Sequence, residues 1–176
     1  MRRRWCCWTM ATRSRKRPEG LVLILTTGAL ALAACSPNAP EGVEKAALDD
    51  AISRVVGAPN TCVMIAEAAG GDLVYRYNTA TACGRAWPDC EGGASRKVKD
   101  LLDLAVKDRQ PRRLSCNSLD PARNVGWAAG PVPGRPLVYA AVMEGEPERT
   151  FPGLMMAERI EAAFRRAGLT ERPVSE

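Results

Sequence analysis

Three stretches of the chain carry apolar residues at helical spacing. Val43, Ala47, Leu48, Ala51, Ile52 and Val55 recur every three or four positions, which predicts a helix over 43–56 that Gly57 and Pro59 end. Val98, Leu101, Leu102 and Ala105 form a second stripe, and Ser95 stands before it where a helix N-cap belongs. Met156, Ile160, Ala163, Phe164 and Ala167 form a third, over about 152–167, with Pro152 suited to the first turn and Gly168 to the carboxyl cap. Between the helices the period drops to two. Residues 61–68 alternate Val63 and Ile65 with Cys62, Met64 and Ala66. Residues 69–72 read as a turn, and 73–77 as the return strand of a hairpin. Short strands are predicted at 112–116 and 124–129. The run Leu137 to Met143 is long, apolar and β-favouring, as a central strand covered on both faces should be. Residues 78–93 read as a loop holding Cys83, Trp87, Pro88 and Cys90, and 144–149 as a solvated acidic loop.

The short connections favour antiparallel neighbours. The economical way to bury these stripes is an α+β fold, with an antiparallel sheet of about five strands and the N- and C-terminal helices on one face. No internal repeat is visible. Residues 43–170 make one domain, and 171–176 a disordered tail.

One apolar run does not belong to that domain. Leu21 to Ala34 is followed by Cys35 and preceded by Arg13, Arg15, Lys16 and Arg17. At about 14 residues the run is short of the roughly 20 that a bilayer-spanning helix needs, and it has the length of a signal-peptide core. Leu32-Ala33-Ala34-Cys35 resembles the lipobox of bacterial lipoproteins, whose cysteine is lipidated before cleavage on its amino side. The resemblance implies that 1–34 is a lipoprotein signal peptide and Cys35 the lipidation site. Residues 35–42 then form a polar, Pro-rich tether. A start at Met10 would be more typical of such a signal. Two or more acyl chains on one cysteine make a stable membrane anchor. The serine at position 36 implies transfer to an outer membrane, facing the periplasm.

Composition changes meaning once the signal is set apart. The whole chain carries +5, but residues 1–34 hold seven of its 25 basic residues and one of its 20 acidic ones. The rest has 18 against 19, a net of −1, so nothing argues for nucleic acid as a partner. There is no histidine, which removes Ser-His-Asp and Cys-His catalysis and histidine metal sites. Setting aside Cys6, Cys7 and Cys35 leaves Cys62, Cys83, Cys90 and Cys116. An even four in an oxidising compartment suggests two disulfides, and their spacing lacks the close pairs of a zinc site. No cofactor or metal is expected.

The element order and the stretches TCVMIAEAAGGDLVYRYN, VGWAAG and LVYAAVMEG resemble the α/β core of the penicillin-binding protein and serine β-lactamase superfamily. Most of that family's helical domain would be missing. The resemblance implies a serine-bearing helix after the hairpin, where the family has Ser-x-x-Lys. Here Ser95 is followed by Lys97 and Lys99. Ser95 as nucleophile, Lys99 as base and Arg113 as carboxylate anchor would make a serine acyl hydrolase of β-lactamase or DD-peptidase type. The family's Lys-Thr-Gly motif is absent, and Ser115-Cys116-Asn117 matches Ser-x-Asn in letters only. Trp87 and Trp127 suit either a sugar or peptide groove or packing against a disulfide. The family's sheet also implies a cysteine pairing. It puts two strands between the one holding Cys62 and the one holding Cys116, a gap of roughly 14 Å at about 4.8 Å per strand, when a disulfide needs Cα atoms within about 7 Å. The implied bonds are Cys62–Cys83 and Cys90–Cys116. A different fold would make Cys83–Cys90 with Cys62–Cys116 more natural. The functional expectation is a lipid-anchored envelope lipoprotein with a catalytically degenerate domain, acting as a binding or accessory module near peptidoglycan or an envelope protein. The acyl hydrolase and a purely structural lipoprotein are the alternatives.

Overall fold

The computed structural model describes residues 39–171. Residues 1–38, which include the expected signal peptide and Cys35, and the last five residues lie outside them. The elements run α1 (Lys45–Val56), β1 (Thr61–Glu67), β2 (Leu73–Tyr77), α2 (Ala80–Gly84), β3 (Ala86–Trp87), β4 (Arg96–Lys97), α3 (Val98–Asp108), β5 (Arg112–Asn117), β6 (Asn124–Pro131), β7 (Leu137–Gly145) and α4 (Gly153–Arg166). Five strands form one sheet in the order β2-β1-β7-β6-β5, with every neighbouring pair antiparallel. The α+β architecture expected from the periodicity is therefore present. β7 lies at the centre, as its unbroken apolar run requires.

The period of two decides which helix each strand residue meets. Val63, Ile65, Tyr139, Ala141 and Met143 face α1 and α4 and pack with Leu48, Ile52, Met156, Ile160 and Phe164. Cys62, Met64, Val138, Ala140 and Val142 face the opposite way and pack with Val98, Leu101, Leu102 and Ala105 of α3. The two terminal helices share one face, and α3 covers the other. Burying each large aliphatic side chain contributes about 1.5–3 kcal/mol. Residues 78–97 have no apolar stripe to bury, and alternation gave them no element. They form α2 and the two-stranded ribbon β3–β4, which lie over the α3 face with Cys83 and Trp87 buried.

The start of α4 rests on the backbone of the sheet. A methyl group added at Gly153 would overlap the carbonyl of Trp127 and the backbone of Leu114, and one at Gly126 would overlap the carbonyl of Phe151. The Gly153 N–H, one of the unpaired donors at a helix start, donates to the Ser115 hydroxyl at 2.8 Å. Ser115 thus has a structural task that its resemblance to Ser-x-Asn does not describe. At the other sheet edge the buried Tyr75 hydroxyl donates to Asp49 of α1 at 2.7 Å. Burial first, then Asp49, pushes that phenol far above its ordinary value. Asp49 and Asp50 part company as adjacent helix positions must: Asp49 binds Lys45 and Tyr75, and Asp50 binds Arg54.

The Gly153 contact is backbone against backbone, so little can yield. Gly153→Ala is expected to cost about 1–3 kcal/mol of stability by overpacking, read as a lowered urea midpoint with an unchanged slope. A midpoint equal to wild type would show that α4 does not sit this close.

Candidate functional site

Both disulfides are formed with the pairing that the family resemblance implied. Cys62 joins Cys83 with Cα atoms 5.2 Å apart, and Cys90 joins Cys116 at 5.4 Å. β7 and β6 lie between β1 and β5, which rules out Cys62–Cys116. Each bond closes a loop of 21 or 26 residues, worth about 3 kcal/mol in lost unfolded-state entropy. Together they tie both ends of a weakly apolar segment to the sheet.

Glu144 occupies the end of β7, not a solvated loop. It is 5% exposed, and four donors meet its carboxylate. Asn60 Nδ2 reaches one oxygen at 2.8 Å, Ser118 Oγ the other at 3.0 Å, and Arg123 takes both through Nε and Nη2 at 2.7 Å each. Such a two-pronged guanidinium–carboxylate pair is both strong and directional. Burial pushes the Glu144 carboxyl upward. The hydrogen bonds from Arg123, Ser118 and Asn60 outweigh that and hold it below its ordinary value. The connection between β5 and β6 is fastened as well: Ser118 N–H donates to the Arg123 carbonyl, and Arg123 N–H to that of Asp120.

Beside this hub lies a cleft of about 350 Å³, lined by Asn60, Arg85 to Pro88, Ser118 to Asp120, Arg123 and Glu144. Its walls come from four chain segments, and disulfide cysteines stand two residues from the cleft residues of three of them: Cys62 after Asn60, Cys83 before Arg85 and Cys90 after Pro88 in one segment, and Cys116 before Ser118. The two cross-links therefore fix the width of this cleft more directly than that of any other feature described. The Arg85 guanidinium lies over the ring of Trp87, 4.2 Å from its centroid. Arg85 makes no side-chain hydrogen bond or ion pair with any described residue. Trp87 is buried, and its indole N–H has no acceptor among the described residues. Trp127, fully buried, donates to the Pro88 carbonyl at 2.8 Å. Both tryptophans share the apolar cluster of the disulfide cysteines. Trp87 also lines the cleft, so the two fates expected for these rings meet in one place.

The residues expected to form a catalytic set are not brought together. Ser95 is exposed and precedes β4; the residue capping α3 is Lys97, whose N–H donates to Asp100 at 2.9 Å. Lys99 lies in the first turn of α3 and pairs with Asp103 at 2.7 Å. Ser95 and Lys99 are thus not two positions on one helix face. Arg113 stands opposite Ala128 on β5, on the face of α1 and α4, while its neighbour Leu114 packs toward α3. The sheet separates Arg113 from the other two, and none of the three lines the cleft. Among the described residues no cluster of three His, Cys, Asp or Glu side chains could hold a metal, and no helix is long and apolar enough to cross a membrane. Glu146 and Glu148 are exposed and do not join Glu144. The hub itself escaped the sequence because its members lie up to 84 positions apart, and only strand register brings them together.

No protein-family model, no curated protein and no solved structure matches this chain.

Glu144 makes a signed contribution to stability. Its folded carboxyl titrates below its unfolded one, so the stabilisation is complete above about pH 4.3 and is lost as pH falls through the folded value. In acid unfolding, Glu144→Gln is expected to flatten the fall of stability below that pH. An unchanged acid limb would show that the hub is not formed. The disulfides should differ too: Cys62 and Cys83 are almost fully buried, while Cys90 is only partly so. Mild reduction of the folded protein, read by alkylation and mass spectrometry, is expected to open Cys90–Cys116 first.

Proposed function

We propose that this chain is a lipid-anchored lipoprotein of a bacterial cell envelope, acting as a binding or accessory module rather than as a catalyst. The observation that carries the reading is the cleft at Glu144. It is polar and framed by two disulfides that need an oxidising compartment, and its one serine, Ser118, donates to a Glu144 carboxylate that Arg123 already neutralises and holds below its ordinary value, which makes that carboxylate a poor base. A serine hydrolase needs its nucleophile within hydrogen-bond reach of that base. Ser95 is bonded to no described lysine, and Lys99 is engaged with Asp103. The export signal and the lipobox at Leu32 to Cys35 supply the anchor in this reading, and residues 35–42 the tether. A domain held in this way works at short range, on the cell wall or on an envelope protein.

Two measurements test it. Mass spectrometry of the native protein is expected to find an acylated Cys35 at the amino terminus; an unmodified Cys35 within an intact amino end would remove the anchor. Purified sacculi are expected to retain the chain. Fluorescent penicillin is expected not to label it, and covalent labelling lost in Ser95→Ala would install the acyl hydrolase instead.

A further inference from the structure

The chain enters the domain at one end of the sheet and is fastened there. Pro40 is buried, the Val43 N–H donates to its carbonyl at 3.1 Å, and Arg135 of the β6–β7 turn donates to the Glu41 carbonyl at 2.8 Å. That turn, at 132–136, lies beside the β1–β2 turn, since the Ala68 N–H donates to the Pro136 carbonyl and Glu67 pairs with Leu137. The carboxyl ends of two helices reach the same end of the sheet. Val106 of α3 stands where a methyl group on Gly71 would touch it, and Phe164 of α4 packs on Tyr139 near the start of β7. The cleft at Glu144 lies at the other end, where Asn60 precedes β1 and Gly145 pairs with Asn124. From Leu137 to Glu144 the strand covers about 23 Å, at about 3.3 Å per residue. Between Cys35 and Pro40 there are five residue steps, which span at most about 18 Å when fully extended.

We infer that this fastened end of the domain rests on the lipid headgroups of the membrane that holds Cys35, with the cleft at Glu144 directed away from the lipid. This orientation presupposes the lipid anchor proposed above and adds to it which surface meets the membrane. A length decides it. Turning the cleft squarely onto the membrane would lift Pro40 about 23 Å above the surface, and a tether of at most about 18 Å cannot follow. Standing the other way up needs no such extension, because the tether then leaves the domain on the side that faces the lipid. Charge does not decide it. Arg109, Arg135 and Arg166 at this end stand beside Glu44, Asp72 and Glu171, a mixture with little preference for or against anionic headgroups. The placement is therefore imposed by the tether and not by an affinity of the surface for lipid. A partner of the cleft meets it from the aqueous side, within about 40 Å of the headgroups, the sum of the two lengths. That suits the cell wall or a soluble envelope protein, and not lipid.

The test uses the full acylated chain in phosphatidylcholine vesicles and reads tryptophan emission against a lipid that carries a nitroxide quencher on its headgroup. Trp87 and Trp127 are the only tryptophans after residue 34, and both are buried, so they supply a constant baseline. Pro133→Trp adds a reporter to the exposed β6–β7 turn, and Leu119→Trp adds one at the cleft end. The added emission of Pro133→Trp is expected to be largely lost on the labelled lipid, and that of Leu119→Trp to be retained. Should Pro133→Trp fail to form both disulfides, Gln110→Trp, exposed in the α3–β5 connection, takes its place. Inserting about 15 Gly and Ser residues after Pro37, which adds roughly 20 Å of flexible reach, is expected to abolish the difference. Quenching of Leu119→Trp equal to that of Pro133→Trp, or no quenching of either, would overturn the inference. So would a difference that survives the longer tether, or one that appears only when phosphatidylglycerol is added. The two levels of failure are separable. An unacylated Cys35 in the native protein removes the anchor and the orientation together, whereas an acylated Cys35 with the wrong quenching pattern removes the orientation alone.

Discussion

Covalent attachment of residues 78–97 to the sheet is the constraint on which the rest of this structure depends. That segment contributes Trp87 and two cysteines to the core and little else that is apolar. Hydrophobic burial alone gives it small reason to stay folded, since each ordered residue costs about 1–2 kcal/mol in backbone entropy. Cys62–Cys83 holds its beginning against β1, and Cys90–Cys116 holds its middle against β5. Between those anchors Trp127 reaches through from β6 to bond the Pro88 carbonyl. Asp89 accepts from the N–H groups of Glu91 and Gly93 and closes the turn that follows. The segment is therefore placed by a few strong fixtures rather than by a broad apolar face.

The cleft follows from that arrangement. Three of its four wall segments adjoin the four cysteines, so the bonds that hold residues 78–97 down also set the spacing of Asn60, Arg85, Pro88 and Ser118. Glu144 completes it from below. The carboxylate lies on the α3 side of β7, in line with Val138, Ala140 and Val142. At that depth a charge survives only when paired and fully hydrogen-bonded. Asn60, Ser118 and Arg123 meet that requirement and in doing so lock two connections, α1–β1 and β5–β6, to one carboxylate. The floor of the cleft is polar, and Arg85 in its lining has no carboxylate partner among the described residues. The expected set of Ser95, Lys99 and Arg113 is spread over the fold, two of them on one side of the sheet and one on the other.

On the opposite face the governing contact is steric. Gly126 and Gly153 bring α4 down onto the backbones of β5 and β6, and the Ser115 hydroxyl satisfies the helix's first N–H. The apolar stripe of α4 meets that of α1 over the sheet, and Tyr139 packs edge-on against Phe164 at 5.4 Å between ring centroids. The two faces thus divide the labour. One is a conventional apolar layer that makes the domain stable, and the other carries α3 together with the cross-linked segment and the cleft.

The sequence by itself determined every element with a clean period. α1, α3, α4, β1, β2 and β7 were legible because a helix or strand that buries one face must repeat its apolar residues at 3.6 or 2. Gly168 was legible as a stop signal because it takes a left-handed conformation, with φ of 76°, that side chains resist. The lack of histidine and the four cysteines of the domain were read from composition, while the export signal expected from residues 21–35 lies outside the described residues. α2, β3 and β4 were not legible, because two-residue strands and a five-residue helix have no period to detect. Ser95 looked like a cap because local spacing cannot see that Arg96 and Lys97 pair with Trp87 and Ala86. Tertiary structure alone decided that Glu144 is buried and that Arg85 lies over Trp87 with no ion-pair partner among the described residues. Both facts arise where strand ends far apart in the chain are brought together, and no pattern along the chain records a meeting of that kind.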